Sequence, residues 1–94
     1  MKYQLKKTKR YRKDIKRLEK ANIDLTPLNE VINLLREGEP LLEKYHDHKL
    51  SGDMKYFREC HIGPDWLLMY RKDEQNLFLV LLRTGDHRQV LGIE

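Results

Sequence analysis

Residues 54–87, MKYFRECHIGPDWLLMYRKDEQNLFLVLLRTGDH, decide the fold. From Met54 to Ile62 side chains alternate: Phe57, Glu59 and His61 point one way, Tyr56, Arg58 and Cys60 the other. That is the period of a strand with two unlike faces. Gly63-Pro64-Asp65 supplies a turn. Trp66–Tyr70 and Leu77–Leu82 are continuously apolar, as expected of strands covered on both faces, with Arg71–Asn76 as the polar hairpin loop between them. Arg83-Thr84-Gly85-Asp86 leaves the last strand and turns. Val90 and Leu91 are expected to add a short strand or to pack as a tail.

Upstream, the period changes. Tyr3 and Leu5 alternate within Met1–Leu5, a candidate edge strand. From Lys6 to about Lys20 the pattern is helical, with Tyr11, Ile15 and Leu18 on one narrow stripe. Ala21–Leu25 is a connection. Thr26 is placed as N-cap with Pro27 in the first helical position, where a missing N–H does no harm. Leu28, Val31, Ile32, Leu34 and Leu35 form a broad apolar face. Gly38 stops that helix and Pro40 prevents its continuation. Glu39–Asp53 is a polar connection. The expected architecture is α+β: two N-terminal antiparallel helices packed on a small, mostly antiparallel sheet of about four strands, in one domain spanning 1–94.

The chain has 94 residues and a net charge of +4. The charge is uneven. Residues 1–20 carry ten Lys and Arg against Asp14 and Glu19, a balance of +8, and the rest carries −4. This asymmetry points to a polyanionic partner, nucleic acid or an acidic protein segment, against the plainer reading of a solvated helix face. Cys60 is the only cysteine, so no intrachain disulfide forms. No apolar run approaches a membrane span, and a cytoplasmic protein is expected.

All four histidines, His46, His48, His61 and His87, fall between Lys44 and His87, beside Arg58, Glu59, Asp65 and Arg83. Each has a plain structural reading: His46 as an exposed loop residue, His61 as a satisfied strand-end histidine, Asp65 as a turn residue, Arg83 as an ion-pair partner. Together they hold the parts that RNA cleavage by internal attack requires. Histidine moves protons near neutrality. Arginine matches phosphate oxygens. The usual paired-ligand spacings for zinc are absent, and Cys60 faces away from His61, which argues against a metal site and against a cysteine nucleophile. No glycine-rich phosphate loop or G-x-S-x-G motif is present.

The segments HDHKLSG (46–52), FRECHIGPDWLLMY (57–70) and LLRTGDH (81–87) resemble the YafQ branch of the RelE/ParE superfamily of bacterial toxins. The resemblance covers nearly the whole chain in order and spacing. It implies a RelE-like fold and a ribosome-dependent mRNA endonuclease, or mRNA interferase. Such a toxin cuts mRNA in the A site of the 70S ribosome by 2′-hydroxyl attack, without metal or cofactor. It implies a DinJ-like antitoxin, with operator DNA bound only by the toxin–antitoxin complex, and no membrane partner. By motif, His48, His61, Asp65 and His87 match the family's catalytic set. Glu59 and Arg83 are additional candidates, Arg83 at the scissile phosphate. His87 or Asp65 is the expected general acid, and His48 or His61 the general base.

The resemblance also assigns Lys6, Lys7, Lys9, Arg10, Arg12, Lys13, Lys16 and Arg17 to ribosomal RNA phosphates. Relatives commonly carry an aromatic residue after the last histidine, suited to stacking on a base. Here Leu91 holds that place, and Gly92-Ile93-Glu94 adds no aromatic. Two other readings compete: a ParE-type toxin that blocks DNA gyrase without the catalytic residues, and a catalytically weak relative serving with its antitoxin as a DNA-binding corepressor.

Overall fold

Strand β4 (Trp66–Asp73) lies at the centre of a five-stranded sheet because Leu67 to Tyr70 are buried without a break. In the computed structural model, which describes residues 2–54 and 56–91, the strand order is β1-β5-β4-β3-β2. Met1, Lys55 and residues 92–94 lie outside the described residues, and with them parts of the strands expected at Met1–Leu5 and Met54–Ile62. On one side β4 pairs antiparallel with β5 (Phe78–Gly85), on the other with β3 (Arg58–Gly63), whose outer neighbour is the two-residue β2 (His48–Lys49). The hairpin loop is shorter than expected. Arg71–Asp73 extend the β4 ladder, and the Asp73 carboxylate accepts from the Gln75 and Asn76 amides to close the turn.

The expectation of about four mostly antiparallel strands needs correcting at the N-terminus. The edge strand expected within Met1–Leu5 is β1 (Gln4–Lys7), and it pairs parallel with β5, so the sheet is mixed and has five strands. Lys6 and Lys7 therefore belong to β1, not to the basic helix; the Lys6 ammonium sits 4.7 Å from the Phe78 ring centroid. Thr8 makes the switch. Its hydroxyl donates to the Leu82 carbonyl at 2.9 Å and accepts from the Tyr11 amide at 3.0 Å, anchoring the strand end and capping helix α1 (Lys9–Lys20).

Helix α2 (Thr26–Arg36) starts one residue earlier than expected. Leu25 is its N-cap and makes no side-chain cap bond, and the Asp24 carboxylate accepts from the Thr26 amide at 3.0 Å. Gly38 ends it in the left-handed region, φ +76°, with its amide bonded to the Leu35 carbonyl. The last turn is also a correction. Residues His87–Leu91 form a third helix, α3, where a strand or tail was expected. A reciprocal cap forces it: the Asp86 carboxylate accepts from the Gln89 amide at 2.8 Å, while the Gln89 side chain accepts from the Asp86 amide at 3.0 Å. No helix among the described residues is long and apolar enough to cross a membrane.

Two apolar clusters cover the two faces of the sheet. The larger joins α1 and α2, through Tyr11, Leu28, Val31 and Leu35, to Cys60, Leu68, Tyr70, Leu79 and Leu81. The smaller joins Leu67 and Met69 to Val90 of α3, with Phe57, Leu82 and Leu91 packed on it.

Asp14, an acid in the basic helix, locks α1 to the end of β5. It is 2% exposed. Its carboxylate accepts from Arg83 Nε at 2.8 Å and Nη2 at 3.1 Å, from the Thr84 amide at 3.0 Å and from Arg17 Nη1 at 2.9 Å. Burial alone would raise the carboxyl pKa; the bonds from Arg83, Thr84 and Arg17 outweigh it and hold it below the usual range. Its stabilising contribution is therefore complete above about pH 4 and is lost as pH falls through that depressed value. Removing one partner of such a buried group strands the others. Asp14→Ala is expected to lower unfolding free energy by about 3 kcal/mol in urea titrations; a loss under about 0.5 kcal/mol, the range of ordinary surface changes, would show that the lock is unimportant.

Candidate active site

Strand register assembles the site. On the face bearing the smaller cluster, His48, Glu59, Met69 and Arg83 occupy one row across β2, β3, β4 and β5. The next row holds His61, Leu67 and Gly85. With strands about 4.8 Å apart, Arg83 stands two strands, on the order of 10 Å, from Glu59.

Glu59 lies at the base of the cluster, 3% exposed. Its Oε1 is 3.4 Å from His48 Nε2 and 3.7 Å from His61 Nε2. Its Oε2 is buried without a hydrogen-bond partner among the described residues. His61 is the hub of the rings, with centroids 5.5 Å from His46, 6.1 Å from His48 and 5.7 Å from His87. Burial pushes the His61 pKa below 6.5; Glu59 opposes this, and His46, His87 and His48 reinforce it. His61 is thus mostly neutral at pH 7, the state a proton acceptor needs.

His87 is exposed and held differently. Asp65 Oδ1 is 2.7 Å from His87 Nδ1 and 3.1 Å from its amide nitrogen. Those two bonds hold the Asp65 carboxyl below its ordinary range. Asp65 is therefore an ionised orienter of His87, keeping the Nδ1 proton and directing Nε2 outward. An ionised Asp65 has no proton to give.

The cluster thus gathers His48, Glu59, His61, Asp65 and His87. His46 is exposed as expected, yet its ring edge meets His61. Arg83 is adjacent but committed, its Nε and Nη2 on Asp14. Arg17 is likewise engaged, with Asp14, the Thr84 carbonyl and Gln89. The added Cβ of any residue at Gly85 would lie 2.7 Å from Arg17 Nη2, so only glycine admits this bridge (φ +149°). Lys6, Lys7, Lys9, Arg10, Arg12, Lys13 and Lys16 remain exposed. Leu91 packs on the smaller apolar cluster. Cys60 is fully buried, its thiol pushed up to about 12 by burial, and is inert.

Sequence reasoning missed two supporting acids. One is Asp14, whose spacing from Tyr11 and Leu18 puts it on the apolar stripe. The other is Asp47, between His46 and His48. Its carboxylate accepts from Arg58 Nη2 at 3.0 Å and makes a short bond with the Tyr70 hydroxyl. These contacts pin the segment carrying both histidines to the sheet.

His48, Glu59 and His61 offer ligand atoms all within 4.8 Å of one another. Two imidazoles and a carboxylate suit a divalent transition ion, and the orphaned Glu59 oxygen fits that use. The donors come from two strands, a juxtaposition that local spacing does not express.

Fold and cluster together define a class: a small α+β protein whose mixed sheet presents a histidine–carboxylate acid–base set beside a cationic helix. The comparisons narrow it. Residues 3–92 match the model of the family described as bacterial toxin of type II toxin–antitoxin system, YafQ. The mRNA interferase toxin YafQ of Escherichia coli K12 is 36% identical over 83 residues, 87% of this chain and 88% of that protein. The E. coli DinJ–YafQ toxin–antitoxin complex contains a chain that superposes with a TM-score of 0.86 at 32% identity, covering 98% of this chain and 100% of that one. A metal-bound toxin from Helicobacter pylori superposes with a TM-score of 0.87 at 41% identity, covering 94% and 98%. The chain belongs to the YafQ family of type II toxin–antitoxin toxins.

An NMR titration of the four imidazoles is expected to place His61 below 6.5, and Glu59→Gln, which removes the one opposing influence, to move it lower still. A His61 that titrates at or above 6.5, or rises in the variant, contradicts this electrostatic account.

Proposed function

We propose that this chain is a ribosome-dependent mRNA endonuclease toxin that cuts mRNA in the ribosomal A site and so stops translation. The observation that carries the reading is the convergence of His48, His61 and His87 with Glu59 and Asp65 on one exposed sheet face. Internal cleavage of RNA needs a base for the 2′-hydroxyl and an acid for the departing 5′-oxygen. His61, with its lowered pKa, takes the first proton, with His48 beside it on Glu59. His87, held by Asp65, delivers the second. The products are a 2′,3′-cyclic phosphate and a 5′-hydroxyl. Arg83 borders the site and contributes positive charge there despite its bond to Asp14. A divalent ion held by His48, Glu59 and His61, when bound, would supply Lewis-acid stabilisation of a phosphoryl oxygen; because it would engage the acceptor nitrogens of those two rings, the base role assigned to them is that of the metal-free protein.

The relatives support the same reading. The E. coli protein is named an mRNA interferase toxin. The DinJ–YafQ toxin–antitoxin complex supports a cognate DinJ-like antitoxin as a partner of this chain; in this reading operator DNA is bound only by that pair. Exposed cations of α1 and β1 would meet ribosomal RNA phosphates, in the bacterial cytoplasm. The gyrase-blocking alternative gives the histidine set nothing to do.

In a reconstituted translation reaction with an in-frame AAA codon, primer extension is expected to show a cut at or beside the codon only when ribosomes are present. His87→Ala should reduce the rate at least 100-fold, the usual weight of a general acid. Intact mRNA, together with gyrase-linked DNA breaks on expression, would replace this reading with the gyrase one.

A further inference from the structure

A cleft of about 550 Å³ opens beside the histidine set, and none of the catalytic roles above uses it. The start of α2 forms one wall, with Pro27 and Glu30; the segment Lys44–His46 forms another; His61 belongs to both cleft and site. Its chemistry is that of a nucleotide subsite. Tyr45 is half-buried against the main core and gives a fixed aromatic wall. His46 adopts the left-handed region, φ +47°, and its ring meets His61 edge-on at 71° between planes. A T-shaped contact covers at most one face of the exposed His46 ring, which leaves the other face open to a base. The Lys44 ammonium lies 5.1 Å from the Tyr45 ring centroid, near enough to meet a phosphate at the rim. Glu30 presents a carboxylate, an acceptor for the exocyclic amine of adenine, cytosine or guanine, which uracil lacks. Leu91, packed on the smaller apolar cluster, does not offer the flat surface that base stacking needs.

We propose that this cleft binds the nucleotide next to the scissile phosphate of single-stranded RNA, with its base stacked on His46 and its amine read by Glu30. The inference rests on the endonuclease reading for its setting, but not for its test. Stacking on an aromatic side chain strengthens binding roughly tenfold per base and tolerates exchange of one ring for another. His46→Asn removes the ring while keeping a residue that accepts left-handed backbone; His46→Phe keeps a ring.

Two measurements decide it on the full chain. The first is an NMR titration with a short 2′-O-methyl RNA, which resists cleavage. Amide shifts at Lys44–His46 and Ile62–Gly63 are expected, weakened roughly tenfold in His46→Asn and retained in His46→Phe. The absence of shifts there, or equal losses in the two variants, overturns the subsite. The second is the ribosome cleavage assay on mRNAs varied at each nucleotide flanking the cut. One position should disfavour uracil, and Glu30→Ala should erase that preference. Unchanged preference in Glu30→Ala overturns the assigned reader. If the wild type cuts nothing yet the titration shows the shifts, the endonuclease reading fails and the nucleotide site stands.

Discussion

A carboxylate buried beneath imidazoles governs the functional face of this sheet. Glu59 points from β3 toward the same side as His48 and His61, and a charge so enclosed requires donors. The imidazole nitrogens of His48 and His61 are the groups within reach. These contacts set the two imidazoles against one carboxylate before any substrate arrives. Glu59 Oε2 has no hydrogen-bond partner among the described residues, so this buried acid is incompletely satisfied there.

Around that anchor the structure separates proton-handling groups by environment. His61, partly enclosed and ringed by three other histidines, is kept neutral. His87 stands outside the enclosure on an ionised Asp65. Cationic groups are treated in the same manner. Arg83 and Arg17 are tied to the buried Asp14, so their role begins in holding α1, β5 and α3 together, while the outer lysines and arginines of α1 and β1 stay in solvent.

The centre of the fold was legible because its signals are local. Continuous apolar runs marked β4 and β5, and alternation put Glu59 and His61 on one face and Cys60 on the other, as the register has it. The family resemblance was legible in the motifs themselves. What escaped was nonlocal or small. Parallel pairing of β1 with β5 joins residues more than seventy positions apart, and the alternation of Tyr3 and Leu5 that suggests an edge strand says nothing of its partner or direction. The last helix was misread although its signal was present: Asp86-x-x-Gln89 is a capping box, overlooked beside the apolar pair that follows. Asp14 and Asp47 were missed as supports because single acids in basic or polar stretches read as solvated. His46, expected to be a free loop residue, is exposed yet rests against His61 because Asp47 fixes the segment between them.

The central claim is that this histidine set promotes attack by the RNA's own 2′-hydroxyl. The most direct measurement replaces one nucleotide, the ribose on the 5′ side of the scissile phosphate, with its 2′-deoxy counterpart in an mRNA presented on the ribosome. The account predicts that cleavage at that phosphate disappears, while the all-ribose message yields a 2′,3′-cyclic phosphate and a 5′-hydroxyl. Undiminished cleavage of the deoxy-substituted message would contradict it and require an external nucleophile.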